Sequence, residues 1–135
     1  MKIYKLTDKI NIKIDDIDVA ISPLSTVQKA EVQALMMETL ENPKNILPSM
    51  KAMNLCVKYA VKSIKGVEGL KFEDGCLTDD SVEALGNCKI SNTLSRCCVN
   101  LLQGVPEYFT TEYGEKLDNV KIVETSKKIK KKKKD

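Results

Sequence analysis

Five cysteines, two acidic clusters, two closely spaced methionine pairs and a terminal lysine run are the residues of this 135-residue chain whose types could support chemistry, and no histidine accompanies them. Without histidine the usual general base, proton shuttle and commonest metal ligand are missing, which removes catalytic triads and zinc hydrolase sites from consideration. The clusters Asp15-Asp16-Asp18 and Asp79-Asp80 suggest a divalent cation at first sight. Each falls where aspartate is expected for backbone reasons, a hairpin turn and a helix start, so both are read as structural. Cys97 and Cys98 are adjacent, and adjacent helical residues point about 100° apart, which does not suit a redox pair; the five thiols are read as small, reduced hydrophobes. Met36, Met37, Met50 and Met53 are the candidate partner-binding residues, because flexible thioethers adapt to varied protein surfaces, although core packing is their commoner use. Neither G-x-x-x-x-G-K-[ST] nor G-x-G-x-x-G occurs, so nothing points to a nucleotide. The expectation is a protein that is not an enzyme, with no cofactor and no metal.

The lysine run is Lys127, Lys128, Lys130, Lys131, Lys132, Lys133 and Lys134, closed by Asp135. Residues 127–135 hold seven of the 22 basic residues and one of the 19 acidic ones, leaving 15 basic against 18 acidic in residues 1–126. The net +3 of the whole therefore conceals an acidic body with a cationic end. Like charges in a block repel and bury nothing, so 127–135 is expected to be a disordered tail on a single domain formed by 1–126. Nucleic acid is not the expected partner: Arg96 is the one arginine, and arginine is the residue that forks onto phosphate. Lysine codons are AAA and AAG, so the run can equally be the translation of an adenine tract selected in the message, where ribosomes slip.

The elements that would position these residues follow from periodicity. Ile10, Ile12 and Ile14 alternate with polar neighbours, Asp15-Asp16 makes a turn, and Ile17, Val19 and Ile21 alternate again, which is a β-hairpin. Ile3 and Leu6, flanking Tyr4 and Lys5, would add a short strand or an ordered arm before it. Ser25 and Gln28 form a capping box ahead of a helix over about Thr26 to Leu40, with Val27, Ala30, Ala34, Met37 and Leu40 on one apolar face. Pro48-Ser49 opens a second helix running on Met50, Met53, Val57, Ala60, Val61 and Ile64 to a stop at Gly66. Asp74-Gly75 marks a minor second hairpin. Thr78 caps a short helix, and a further helix covers about Asn92 to Gln103. Residues 107–124 have no clear period and are left as a helix or an arm. The fold class is α+β: an N-terminal hairpin, a small helical bundle and the basic tail. No window reaches the ~20 apolar residues of a membrane helix, and no leader pattern opens the chain, so a soluble protein that remains where it is made is expected.

The segment INIKIDDIDVAISPLSTVQKAEVQAL, with VKSIKGVEGL, the DG turn, LLQGVPEYF and the lysine-rich end, resembles the tail assembly chaperones of long-tailed bacteriophages. The resemblance spans most of residues 10–110. It implies a small protein of the infected bacterial cytoplasm, absent from the mature virion, that binds the tape measure protein and recruits tail tube subunits. It further implies that this is the shorter product of a pair, the longer one arising by frameshifting near codons 130–134. The family has no catalytic residue to carry over. Two alternatives stay open: a small head, neck or tail completion protein, and a nucleic-acid-associated factor acting through its lysines.

Overall fold

A computed structural model describes Tyr4, Lys5 and residues 7–126. Of the short segment Ile3 to Leu6, Tyr4 and Lys5 are described and are not in a strand, while Ile3, Leu6 and the tail 127–135 lie outside the described residues. Strands β1 (Lys9–Ile14) and β2 (Ile17–Ile21) form the expected hairpin, with Asp15 at φ 55° in its two-residue turn. A positive φ matches the twist of the flanking strands, and aspartate tolerates it. Helix α1 (Thr26–Glu41) starts on the capping box: Ser25 N–H donates to Gln28 Oε1 at 2.9 Å, and Gln28 N–H donates to Ser25 Oγ at 3.1 Å. Helix α2 (Leu47–Ala60) follows with Pro48 in its first turn, where a missing N–H does no harm.

At Ala60 the chain departs from the sequence pattern. The helix expected to reach Gly66 ends, and Val61–Ile64 forms strand β3, pairing antiparallel with β2 through Ile21↔Val61, Ala20↔Ser63 and Val19↔Ile64. The local V-K-S-I run is too short to distinguish a strand from a last helical turn. The open edge of β2 settles the matter, since β-branched Val61 and Ile64 are buried when paired there. Ser22 N–H also donates to the Ala60 carbonyl at 2.8 Å, tying the helix end to the end of β2.

Strands β4 (Phe72–Glu73) and β5 (Cys76–Leu77) make the minor hairpin, with Asp74 and Gly75 both at positive φ as a tight Asp-Gly turn requires. Thr78 caps α3 (Asp79–Leu85), and α4 (Ser91–Asn100) runs into a 3-10 turn at Leu101–Gln103. Residues 107–124 are neither a helix nor a free arm. Phe109 is a core residue at 1% exposure, and β6 (Val120–Ser126) pairs antiparallel with β1. Asn100 holds this return: its amide donates to the Thr110 carbonyl at 3.0 Å and accepts from Thr110 N–H at 3.2 Å.

The resulting sheet has the order β3-β2-β1-β6. Its inner face carries Ile10, Ile12, Ile14, Val19, Ile21, Val61, Ile64 and Val120, and these join Ala52, Cys56 and Ala60 of α2 and Leu94, Cys97 and Cys98 of α4 in one apolar core. The architecture is α+β, a sheet with helices on its inner face and a separate two-stranded hairpin.

Candidate functional site

Helix α1 is where the structure and the sequence pattern disagree most usefully. At about 100° per residue, Val27, Ala30, Ala34 and Met37 gather within about 80° of one another, while Val32, Leu35 and Thr39 lie roughly on the opposite side. It is the second group that faces the protein. Val32 is fully buried, and Leu35 and Met36 pack against the core from its edge. The stripe read from sequence as one apolar face is the solvent face: Val27 is 70% exposed, Met37 55% and Leu40 72%, and Ala30 and Ala34 are exposed between them. The helix is therefore apolar on two sides, and a helix of that kind belongs to a buried position or to an interface.

Past the polar corner of residues 41–45, a second group of exposed apolar residues opens α2. Ile46 and Leu47 are exposed, as is Met50 one turn later. The corner is held by backbone contacts, Asn42 N–H to Glu38 O at 3.1 Å and Asn45 N–H to Asn42 O at 3.0 Å, and by Leu47 N–H donating to Asn45 Oδ1 at 3.2 Å. Lone exposed hydrophobes need no explanation, but six large ones within residues 27–50 form a run of the kind that marks a docking surface. On the flank toward α2, the Tyr59 hydroxyl donates to Glu31, which joins the two helices and, with burial adding to the effect, pushes the phenol up to about 12.

Of the four candidate methionines, Met37 and Met50 reach solvent; Met36 and Met53 are half-buried. The structure thus places two of the four on the exposed surface and sends two inward. Val27, Leu40, Ile46 and Leu47 were not singled out by residue type. The signal available for them was the second apolar stripe, Val32-Leu35-Met36, which leaves the first without an inner partner.

Behind α1 lies a shallow groove of about 430 Å³, lined by Leu35, Leu55 and Val82 with Lys51, Lys58, Asp79 and Glu83 among its polar residues. Lys58 and Asp79 pair across it at 3.1 Å. Among the described residues no group of three His, Cys, Asp or Glu could hold a metal. Asp18 is paired with Lys13 at 2.8 Å, and that hydrogen bond holds its carboxyl below the ordinary range while raising the lysine. Cys56, Cys97 and Cys98 are buried and free; burial pushes Cys56 up to about 12 and Cys97 as far against the opposing charge of Arg96, and burial with the neighbouring Cys97 and Cys56 raises Cys98 as well, so the nucleophilic thiolate is suppressed. No described helix is long and apolar enough to cross a membrane. The seven tail lysines lie outside the described residues.

Comparison of the chain with protein-family models, curated proteins and solved structures gave no match.

Proposed function

We propose that this chain is a protein-binding assembly chaperone of the phage-tail kind, which holds the tape measure protein and recruits tail tube subunits in the cytoplasm of the infected host and does not enter the virion. The observation that carries the binding part is the outward stripe of α1 with the second group at Ile46, Leu47 and Met50. A client presenting an amphipathic helix would cover that stripe with residues at i, i+3, i+4 and i+7 spacing. The tape measure and tail tube assignment rests on the resemblance of residues 10–110 and on the lysine run, which suits a slippery tract and a longer frameshifted partner of the same chain.

The test is co-expression with a phage tape measure protein and a tail tube protein. Met37→Asp and Leu40→Asp lie on the solvent face, so both variants should fold normally and lose capture of the tape measure protein. Full capture by both, with melting unchanged, would refute the assignment of this face.

A second reading has one observation in its favour. The outer face of the sheet carries Lys9, Lys13, Lys65 and Lys121, Lys13 and Lys121 being cross-strand partners, and Lys9 is in register with Ser126, immediately before the lysine run. Asp18, paired with Lys13, offsets part of that charge. Binding of single-stranded DNA or RNA that collapses with salt, and with Lys130 to Lys134 replaced by glutamine, would favour this reading over the chaperone.

A further inference from the structure

We propose that α1 pairs antiparallel with α1 of a second copy, and that this pairing covers the client face until a client displaces it. The pairing is inferred from the order of the exposed residues themselves. Val27, Ala30, Ala34 and Met37 are spaced three, four and three apart, so the stripe reads large, small, small, large about position 32. A two-fold axis at that level sets Val27 opposite Met37 of the second copy and Ala30 opposite its Ala34. Isologous contacts demand such self-complementarity, with each residue meeting in the partner what the partner meets in it. The two alanines at the centre let the helix axes approach closely, and the larger residues at either end fill the space as the helices diverge.

Charge weakens the arrangement without barring it: exposed Glu38 and Glu41 lie beside or on the same stripe, so each α1 brings three acidic residues against the single Lys29. Glu31 is the acidic residue that would flank the axis in both copies, and the Tyr59 hydroxyl draws it onto its own α2. On the other flank Gln33 meets Gln33, two amides that can donate to each other. A pair of 16-residue helices, each about 24 Å long, falls at or below the roughly 1,200–2,000 Å² of stable interfaces. The dimer is therefore weak, with a Kd in about the micromolar range, as a displaceable cover must be. The pairing stands on α1 alone; its role as a cover rests on the function proposed above.

The experiment is sedimentation equilibrium of the full chain up to about 200 µM, beside Ala34→Glu and a chain ending at Ser126. Wild type and truncated chain should both dimerise, and Ala34→Glu should raise Kd by roughly tenfold or more with an unchanged circular dichroism melt, because position 34 faces solvent. A monomeric wild type overturns the proposal, as does dimerisation only after truncation, which would make the tail the occupant. Orientation is read from oxidised mixtures of Ala30→Cys and Ala34→Cys chains, with wild type as the control for half-buried Cys76 and Cys88. Mixed 30–34 links support the antiparallel pair; like-with-like links overturn it. Finally, adding purified tape measure protein should convert dimer to a complex containing one copy. A complex that retains the dimer overturns the covering role, whereas a dimer that ignores the tape measure protein refutes the proposed function and leaves the self-pairing standing.

Discussion

Replacing Val32 and Val27 by alanine, one at a time, separates the two faces of α1 by a measurable margin. Val32 has no exposure. Alanine there removes two carbon groups from the core, about 1.6 kcal/mol of transfer at ~0.8 kcal/mol each. A residual cavity of roughly 40 Å³ at 24 cal/mol per Å³ adds about 1 kcal/mol, for a loss of about 2–3 kcal/mol. For some 120 ordered residues the unfolding entropy is about 0.25 kcal/mol/K, so Tm should fall by roughly 8–12 °C. Val27 is 70% exposed, and removing the same atoms forfeits only about 0.5 kcal/mol, which the better helix propensity of alanine offsets. Its Tm should move by less than about 2 °C. Thermal unfolding by circular dichroism below the dimer Kd, repeated in urea to check that m is unchanged, reads both values. Equal losses at the two positions would refute the two-sided description of α1, and with it the docking face.

Ser25→Ala should destabilise by about 1 kcal/mol, since it removes one arm of the capping box and leaves the Gln28 N–H without its acceptor; Gly at the same site should do less harm, and urea unfolding distinguishes them. Tyr59 titrates near 10 when unfolded and at about 12 in the folded chain, so its contribution is complete below pH 10 and is lost as pH rises toward 12. Tyr59→Phe should flatten stability across that window, as followed by urea midpoints. Thiol alkylation near neutral pH should label Cys76 and Cys88 first, with Cys56, Cys97 and Cys98 reacting only in denaturant; mass spectrometry of the native protein that finds Cys98 labelled early would contradict its burial.

The elements that sequence pattern located were those whose signal is local. The β1–β2 hairpin, the Ser25–Gln28 box and the Asp74-Gly75 turn each need only a few neighbouring residues to specify themselves, and each is present. The two missed strands are specified from a distance. β3 is four residues long and exists because β2 offers it an edge. β6 has an alternating Val120-Lys121-Ile122, but a register shift leaves Val123 unpaired between Ile12↔Ile122 and Asn11↔Glu124, and that bulge breaks the period-two pattern. For α1 the periodicity was legible in the sequence and its direction was not. A helix with two apolar stripes gives no local indication of which one meets the core, and the methionine pair was divided accordingly, Met36 inward and Met37 outward.

The pairing of β1 with β6 has a consequence for how the molecule is made. Ile14 and Val120, 106 residues apart in the chain, are partners, so one side of the central strand has no neighbour until almost the whole domain has left the ribosome. Chains fold from the N-terminus as they emerge, and contacts between distant segments close last. The lysine codons come immediately after β6. A ribosome that hesitates there still encloses the strand that completes the sheet, while the β1–β2 hairpin, α1 and α2 are already outside. Synthesis would thus present α1 and an open β1 edge to the surroundings before the domain closes.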